Sequence, residues 1–536
     1  MRIAILAGGS RGDYQPVIAL AQELVRRGHE VGVTATTDFA PWVREHGLTV
    51  EEVHVDAMQI YRDGDVSTVM ASTGVAGQVG ALRAQAAAMA PELARALIDL
   101  WPRYDAIIST ALTVGWVAQL AAHDPRPQAV LLFVPALPSR HGDASLFADR
   151  EGASLHNLRA GLRGVLPGLA MSAPVTSALA AQGVPRRRSL RALRHTLTVP
   201  AVIAHTPQLI APRRVSGRQI VLTGYPFLDS PAGTTLEPEL EAFLGDGPPP
   251  VYAGFGSQSL RVTRAALGHA IEGALEAGHR VVALRGTGLP EGYDERVLFI
   301  DGAPHDLLLP RTAAIVHHGG AGTTAQALRS GVPQVVVPFA LDQPFFARRA
   351  HEIGVAAAPV PVGATSVEAL RLAVLDATQR HERAAEVGAL VQQERGVEET
   401  CDRLLDGLQR ERRSLGHTAP GGPPSRRDTS LTRYLHADEA RVGLKVLYAG
   451  KDDDSGIEDP DLVRAGHILL HRHPGVIQLF YGPGVNHCIV EFVGLEDQFI
   501  STMVGFDHHR DGHYPGLLVP SEEEWVQACA AGWWNQ

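Results

Sequence analysis

Cysteine, lysine and long apolar runs are scarce in this 536-residue chain. The scarcity of cysteine and the lack of long apolar runs each exclude a class of protein. The three cysteines, Cys401, Cys488 and Cys529, are widely spaced, which excludes a disulfide framework and a cysteine metal site and favours a reducing compartment. No window offers the roughly 20 uninterrupted apolar residues that a membrane-spanning helix needs. A formal net charge of -10 argues against a general nucleic-acid or anionic-membrane partner.

The N-terminus lacks the basic segment, apolar region and small-residue cleavage site of a secretory signal. Together with the cysteine usage, this predicts a cytoplasmic location. Peripheral membrane contact through an amphipathic helix stays open.

Strand and helix patterns alternate along most of the chain. A short apolar strand from Arg2 to Ala7 is followed by helical spacing that ends at Gly28, and then by a second strand from Val31 to Thr36. Further strands are predicted at residues 106–109, 129–134, 251–255, 280–284, 297–300, 313–317 and 334–339. A stretch rich in proline and glycine, residues 224–250, interrupts the alternation and is typical of an interdomain connection. The sequence therefore predicts an α/β protein with two facing, doubly wound Rossmann-like domains, at residues 1–223 and 224–408.

The C-terminal part has a different composition. A polar stretch at residues 409–428 is predicted to be a linker, and the chain's only lysines, Lys445 and Lys451, and half its tryptophans follow it. The segments HILLHRH, GVIQLFYG, HCIVEFVG and FISTMVG resemble strands separated by turns. Residues 429–536 are therefore predicted to form a small β-rich or α+β accessory module. Closing over a substrate, docking a carrier protein and mediating dimerisation all stay open as its role.

The most informative stretch is AAIVHHGGAGTTAQALRSGVPQVVVPFALDQPFFARR, from Ala313 to Arg349. A predicted strand ends at two histidines, and small residues then lead into a helix. Backbone N–H groups in such a loop can approach a ligand closely, and the helix N-terminus adds positive potential, so Gly319, Gly320, Ala321, Gly322 and Thr323 form a predicted phosphate cradle. The next strand carries a carboxylate and an amide, Asp342 and Gln343, at the same sheet edge. A phosphate site beside groups that hydrogen-bond hydroxyls indicates a nucleotide-linked sugar.

The N-terminal loop GGSRGDYQP, residues 8–16, carries an acidic residue just before a helix. Taken alone, Asp13 is best interpreted as a helix cap, since Pro16 follows within the first turns. A donor site in the second domain, however, requires a base from the first domain, and this loop lies at a strand end that would face it. The two interpretations do not exclude each other, although a helix N-terminus is expected to lower the carboxylate pKa and so weaken the base.

The combined motifs resemble the UDP-glycosyltransferase superfamily. This is glycosyltransferase family 1 with the GT-B fold, and the similarity is strongest to its bacterial sterol-glucosyltransferase-like and antibiotic-tailoring branch. The matching segments are GSRGDYQP, GYPFLD, PPPVYAGFGS, APHDLLLPR and the long motif, and they cover most of the chain from Met1 to about Leu408.

The resemblance implies a role for each matching position. His318, Gly322, Thr323 and Ser257 would contact the donor diphosphate, and Asp342 with Gln343 would bind the sugar hydroxyls. Pro304 and His305 lie where the family's loop packs against the base, and Gln326 occupies the position of a glutamate that holds the ribose. Asp13 would be the acceptor base, with Ser10, Arg11 and Gly12 beside the reacting centre. His318 would also act catalytically, by stabilising charge on the leaving group.

Several of these residues have plainer interpretations. His317 is favoured as a core histidine at a strand end, Ser257 is alternatively a turn residue or cap, and Asp342 is alternatively a cap. Three segments that could suggest a metal site are interpreted instead as polar loops: Asp63–Asp65, Asp452–Asp454 and residues 506–516 together with HRHPG. No metal site and no cofactor other than the nucleoside-diphosphate sugar are predicted.

Three functions remain for comparison. The first is an inverting, metal-independent transfer of a sugar from a UDP- or dTDP-sugar to a hydroxyl of a small, largely apolar natural product or lipid-like acceptor. Its acceptor pocket would be lined by Met58, Tyr61, Met70, Trp116 and Phe133. The second is a non-catalytic protein of the same fold that binds a sugar nucleotide or activates a partner. The third, a dinucleotide-dependent oxidoreductase, fails because Ala7 replaces the first glycine of the fingerprint. A homodimer is left open.

Overall fold

The structure is a computed structural model. It describes residues 1–57, 59–60, 75–137, 146, 168, 172–185, 198–210, 213–215, 218–256, 261–285, 293–416, 433–436, 445–448, 474–480, 487–492, 501–505 and 513–519. By its internal contacts the chain divides into two compact units, Met1–Ala419 and Pro420–Gln536.

The first domain of the larger unit is built on an eight-stranded sheet in the order β3-β2-β1-β4-β5-β6-β8-β7. The strands are β1 Arg2–Leu6, β2 Glu30–Thr36, β3 Thr49–Val53, β4 Ala106–Thr110, β5 Gln128–Leu132, β6 Ala201–Ile203, β7 Arg213–Val215 and β8 Arg218–Leu222. All neighbours pair in parallel except β7 and β8, which are antiparallel. Four helices of this domain are α1 Arg11–Arg26, α2 Ala40–Glu45, α3 Val75–Leu100 and α4 Val114–Leu120, and residues 172–181 are also helical.

The second domain has a five-stranded parallel sheet in the order β11-β10-β9-β12-β13. Its strands are β9 Val251–Ala253, β10 Val281–Leu284, β11 Val297–Ile300, β12 Ala314–His317 and β13 Gln334–Val336. The helices are α5 Pro238–Gly245, α6 Arg261–Glu276, α7 His305–Leu308, α8 Ala321–Arg329, α9 Gln343–Glu352, α10 Val367–Thr378, α11 His381–Val391 and α12 Gly396–Gly416. Single 3₁₀ turns occur at Trp101–Arg103, Leu309–Arg311 and Val362–Ala364.

Both sheets are buried on their two faces, as the apolar runs predict. In β1, Ile3 and Ile5 belong to one core, which includes α1, while Ala4 and Leu6 belong to the core on the opposite face, which includes α3. The predicted pair of doubly wound domains is confirmed.

The last helix of the larger unit corrects the predicted boundary at residue 408. α12 returns to the first domain: the Cys401 Sγ lies 3.7 Å from the carbonyl oxygen of Leu20, and Arg27 forms an ion pair with Asp402. Residues 409–416, predicted to be linker, continue this helix. Their arginines suggested a solvated connection, but arginine is a good helix former and its exposed positions cost the helix nothing.

The described part of the C-terminal unit is an antiparallel sheet, with strand order β14-β19-β15-β16-β17-β18. The strands are β14 Arg433–His436, β15 Lys445–Tyr448, β16 Pro474–Phe480, β17 His487–Phe492, β18 Ser501–Gly505 and β19 His513–Val519. Three of the four predicted strand segments coincide with β16, β17 and β18, and HILLHRH lies outside the described residues. Among the helices that the structure describes, none has the length and apolarity required to cross a membrane.

Candidate active site

The loops after β1 and β4 in the first domain and after β12 and β13 in the second domain border the same cleft. The cleft contains a cavity of about 1370 Å³. Open α/β sheets bind ligands at the carboxyl ends of their strands, and here two such edges meet. The predicted site residues that line the cavity are Ser10, Arg11, Gly12, Asp13, Pro304, His305, His318, Gly320, Ala321, Gly322, Thr323, Gln326, Asp342 and Gln343. Gly319 lies within the same loop, and Ser257 lies outside the described residues.

Asp13 is held by the first turn of α1. The Ser10 N–H donates to Asp13 Oδ2 at 2.7 Å, and the Ser10 hydroxyl donates to the same oxygen at 3.2 Å. The bond from the Ser10 N–H to the Asp13 carboxylate is the contact that an acidic residue at this position makes in a capping box, so the cap interpretation is correct. Both bonds use Oδ2, whereas Oδ1 has no hydrogen bond within the described part of the chain. One oxygen can therefore fix the carboxylate while the other accepts a proton.

Gly9 makes room for this carboxylate. Its φ of 125° is strained for residues with a side chain, and a Cβ placed on it would lie 2.2 Å from Asp13 Oδ2. The glycine loop thus positions Asp13 as well as turning the chain.

Burial raises the pKa of Asp13 to about 6, although the hydrogen bonds from Ser10 act in the opposite direction. The predicted lowering by the helix N-terminus was therefore wrong in sign. Desolvation of the charged carboxylate in the cleft exceeds the stabilisation by the cap. A base with a pKa of about 6 is ionised near neutral pH and still accepts a proton more readily than an exposed aspartate.

This pKa gives an expected pH dependence of kcat/KM. Below about 6, Asp13 is protonated and cannot accept a proton, so kcat/KM should fall as the pH is lowered through about 6 and level off above about 7. Steady-state rates between pH 5 and pH 9 measure this acidic limb of the pH profile of kcat/KM. Asp342 faces the same cleft and also titrates near neutrality. A limb near pH 6 that persists unchanged in Asp13→Asn would therefore belong to another group.

The two histidines at the end of β12 have different environments. His317 is fully buried, accepts from the Gly319 N–H at Nδ1 (3.1 Å), and lies 3.0 Å through Nε2 from the side-chain oxygen of Gln334. Because Nδ1 accepts, the ring is the neutral tautomer that donates from Nε2 to Gln334. Burial lowers its pKa to about 3. The interpretation of His317 as a core histidine is confirmed.

His318 faces the cleft. Burial and the neighbouring His305 lower its pKa to about 4, so the imidazole is neutral near pH 7. Its Nδ1 is buried without a hydrogen-bond partner in the described part of the chain. A Cβ on Gly320 would lie 2.6 Å from Nε2, and one on Gly256 would lie 3.4 Å from Cε1. These glycines allow the backbone to pack around the ring and hold it at the start of the phosphate loop.

The N-terminus of α8 faces the cleft immediately after this loop. The helix begins at Ala321, with Gly320 as its N-cap and without a side-chain cap. The N–H groups of Gly322 and Thr323 therefore keep their hydrogen-bonding capacity for an anion, and the helix dipole adds positive potential.

Asp342 is the N-cap of α9, but its carboxylate makes no cap hydrogen bond, so the plain cap interpretation does not account for it. Burial and, less strongly, the charge of Asp13 raise its pKa to about 7, although the backbone N–H groups of Asp342 and Ala321 act in the opposite direction. Two carboxylates, one from each domain, thus influence each other across the cleft.

Gln343 has a positional role that the sequence did not reveal. Its side-chain oxygen accepts from the N–H groups of Phe339 and Ala340 at 2.9 and 3.0 Å. Only its NH₂ group is left for a ligand, so Gln343 can donate to a sugar hydroxyl but cannot accept from one through that oxygen.

The remaining donor positions lie further along the cleft. Pro304 is the N-cap of α7, and the His305 Nε2 lies 3.3 Å from the Tyr252 hydroxyl. The Gln326 side-chain NH₂ donates to the Ser330 hydroxyl at 3.3 Å. His305 and Gln326, the residues predicted to lie at the base and the ribose, both line the cavity.

Tyr225 was missed as a cleft residue, because GYPFLD was interpreted only as a domain junction. It lines the cavity, and a Cβ on Gly322 would lie 2.8 Å from its hydroxyl and 3.9 Å from the carbonyl oxygen of Gly12. Burial, and then the charge of Asp13, raise the pKa of its phenol. Nothing in a proline-rich connection indicates that it folds back between the two site loops.

Arg11 and several apolar side chains of the first domain line the cavity. The Arg11 guanidinium lies 4.8 Å from the centre of the Trp42 ring. Trp116 and Phe133 line the cavity as predicted. Met58, Tyr61 and Met70 lie outside the described residues, as do Asp63–Asp65, Asp452–Asp454 and residues 506–512. In the described ranges, no group of three or more His, Cys, Asp or Glu side chains could hold a metal ion.

Two facing Rossmann-like domains, with a glycine-rich loop of one and a carboxylate of the other on the same cleft, have the architecture of the GT-B class of glycosyltransferases. Residues 3–89 match the glycosyltransferase family 28 N-terminal domain, and residues 287–401 match the erythromycin biosynthesis protein CIII-like C-terminal domain. The chain belongs to the UDP-glycosyltransferase superfamily, with antibiotic-tailoring and sterol enzymes among its relatives.

Three relatives illustrate this membership. O-mycaminosyltylonolide 6-deoxyallosyltransferase of Streptomyces fradiae is 33% identical over 448 residues, covering 78% of this chain and 100% of that protein. Glycosyltransferase GtfE of Amycolatopsis orientalis is 32% identical over 403 residues, covering 71% and 91%. Sterol 3-beta-glucosyltransferase of Aspergillus oryzae is 28% identical over 506 residues and covers 86% of this chain, which spans only 35% of that longer protein.

Solved structures show the same fold. The glycotransferase of kitacinnamycin has a TM-score of 0.56 at 21% identity, covering 76% of this chain and 99% of its own. Glycosyltransferase VinC in complex with dTDP has a TM-score of 0.53 at 21% identity, covering 76% and 100%.

Proposed function

We propose that this glycosyltransferase is an inverting, metal-independent enzyme that transfers a sugar from UDP- or dTDP-sugar to a hydroxyl of a small, largely apolar natural product or lipid-like acceptor. The observation that carries the proposal is the meeting, in one cavity, of Asp13 from the first domain with His318 and Asp342 from the second. No cofactor is proposed beyond the nucleoside-diphosphate sugar itself.

The acceptor hydroxyl would give its proton to Asp13 Oδ1 while its oxygen forms a bond to the anomeric carbon. The bond from that carbon to the diphosphate oxygen breaks, and the nucleoside diphosphate leaves with the electron pair. A positioned base is worth about 10²- to 10⁴-fold in such a step. Because Asp13 and the phosphate loop belong to opposite walls of the cleft, the acceptor would approach the face of the sugar away from the leaving group, which gives inversion.

Stabilisation of the leaving group is assigned to the loop N–H groups, the N-terminus of α8 and neutral His318. These groups are fixed before the reaction and need not reorganise as charge develops. Asp342 and the NH₂ group of Gln343 would bind the sugar hydroxyls. Neutral His318 would act as a hydrogen-bond donor, not as a charged group.

The acceptor class is inferred from the wall formed by the first domain. That wall is largely apolar and aromatic, and the side chains that form much of it are Leu82, Ala86, Met89, Leu93, Trp116 and Phe133. A preformed apolar pocket with one convergent carboxylate suits an apolar alcohol. The cysteine usage supports a cytoplasmic location. Sedimentation of the purified chain measures whether it forms a homodimer.

The test of the proposed function is to incubate the purified full chain with a panel of UDP- and dTDP-sugars and apolar alcohols, with and without a chelator. We expect nucleoside diphosphate release and a product of increased mass, unaffected by the chelator. Tight nucleotide binding with no turnover across the panel would favour the non-catalytic alternative, and turnover abolished by the chelator would contradict metal independence.

Gln326→Glu is expected to change donor preference. A carboxylate accepts from two ribose hydroxyls more strongly than a neutral amide, so KM for a UDP-sugar should fall relative to that for the 2′-deoxy dTDP-sugar, by about five- to tenfold. Competition between the two donors measures the ratio. Gln393→Glu, at an exposed glutamine outside the cavity, is the control, and an unchanged ratio in Gln326→Glu would remove the residue from ribose binding.

A further inference from the structure

Leu341 has an unusual backbone conformation immediately before the sugar-binding pair. Its φ of 54° makes it the one residue other than glycine with a positive φ in the described ranges. Residues other than glycine and asparagine rarely adopt this left-handed backbone region. The strain persists only where the surrounding structure enforces the conformation.

Contacts on both sides of Leu341 hold its backbone in this conformation. Before it, the N–H groups of Phe339 and Ala340 are tied to the side-chain oxygen of Gln343. After it, Asp342 begins α9, which is anchored by the buried rings of Phe345 and Phe346. A glycine would occupy this position without strain, so the leucine side chain itself needs an explanation.

The side chain of Leu341 lines the cavity and belongs to a small apolar cluster that joins the two domains. In this cluster, which we call the Ala340 cluster, Ala81 and Leu82 of α3 pack around Ala340 together with Phe339 and Leu341. Leu82 also lines the cavity, as do other residues of α3 further along the helix. The helix that forms the apolar acceptor wall therefore packs directly on the loop that carries Asp342 and Gln343.

The same loop also reaches the phosphate site. The ring of Phe339 lies 6.1 Å, centre to centre, from the ring of His318. The Ala340 cluster thus connects the acceptor wall with both the sugar and the diphosphate positions through one short, over-constrained loop.

We propose that Leu341 is a positioning residue: through the Ala340 cluster it couples acceptor binding against α3 to the placement of Asp342 and Gln343 on the donor sugar. An empty acceptor pocket then leaves the sugar loop less firmly held, and a bound acceptor holds it for transfer. The consequence is suppression of donor hydrolysis by water. This inference rests on the proposed function.

The first experiment does not require turnover. Hydrogen–deuterium exchange of the segment 339–346 is measured in the wild-type chain, in Leu82→Ala and in Leu372→Ala, an exposed leucine of α10 that serves as the matched control. Loss of the packing from α3 should speed exchange in 339–346 in Leu82→Ala alone. Unchanged exchange would overturn the coupling whether or not the protein is an active transferase.

The second experiment uses the kinetics of Leu341→Ala, Leu341→Gly and the double variant Leu82→Ala/Leu341→Ala. Both Leu341 variants should raise the acceptor KM and the ratio of hydrolysis to transfer by about fivefold or more, the lower end of usual coupling between sites. The Kd for the nucleoside diphosphate should stay within about twofold, since other elements bind it. The double variant should be no worse than the more impaired single variant, because both changes remove packing against Ala340.

Three results would overturn the proposal. They are wild-type behaviour of Leu341→Gly, an acceptor KM unchanged in Leu341→Ala, and additive effects in the double variant. A wild-type chain that transfers no sugar refutes the proposed function instead, and the exchange experiment still decides the coupling.

Discussion

Asp13→Asn is expected to lower kcat by about 10²- to 10⁴-fold, the range that a positioned general base contributes. The amide oxygen of asparagine can still accept from the Ser10 N–H, which donates to Asp13 Oδ2 at 2.7 Å, so the start of α1 should remain formed. What is lost is the oxygen that receives the acceptor proton, because a neutral amide cannot act as a base. Stopped-assay measurement of product by mass spectrometry gives the rate.

The control for Asp13→Asn is a second aspartate whose carboxylate also accepts from a backbone N–H three residues away. Asp56 Oδ1 accepts from the Gln59 N–H at 2.7 Å, but Asp56 is exposed and does not line the cavity. Asp56→Asn should keep full turnover. Both variants should keep the Kd for the nucleoside diphosphate and the thermal midpoint of unfolding. Undiminished turnover in Asp13→Asn would return Asp13 to a purely structural cap.

The role of Asp13 shows how far the sequence alone could lead. The carboxylate, its place in the first turn of α1 and its position opposite the phosphate loop could all be predicted from spacing. The sign of its pKa shift could not, because the helix N-terminus and the Ser10 cap are local whereas burial depends on the second domain closing over the cleft. Burial, which depends on the tertiary structure, raised the pKa of Asp13 where the local helix N-terminus alone would have lowered it.

The same division applies to the fold. The apolar runs of β1, β4 and β12 predicted strands close to those observed, since strands buried on both faces carry a strong signal. β6 and β7, of three residues each, gave no pattern long enough to detect. The last residues of α12, 409–416, were assigned to a linker because the stretch is polar. The Ala340 cluster could not be predicted either, because its two parts, residues 81–82 and 339–341, are more than 250 residues apart in the sequence.

His318→Ala is the second substitution expected to have a large effect, with kcat reduced by about 10²- to 10³-fold, as for loss of one donor that stabilises developing negative charge. Burial keeps the imidazole neutral, with a pKa of about 4, so its contribution is a directed N–H and not a positive charge. The glycine packing at residues 256 and 320 holds the ring, and alanine would leave a gap beside the loop without disturbing β12, whose buried histidine is His317.

The roles of His318 and Asp13 can be separated by the leaving group. A donor whose leaving group is intrinsically better, such as a 2,4-dinitrophenyl glycoside, needs less stabilisation of departing charge, so the penalty of His318→Ala should shrink with it. The penalty of Asp13→Asn should persist, because the acceptor hydroxyl still has to lose its proton. His318→Gln, which keeps an N–H donor near the same place, should recover part of the rate. Equal penalties with both donors would mean that His318 only shapes the loop, and the leaving group would then depend on the N-terminus of α8 and the loop N–H groups alone.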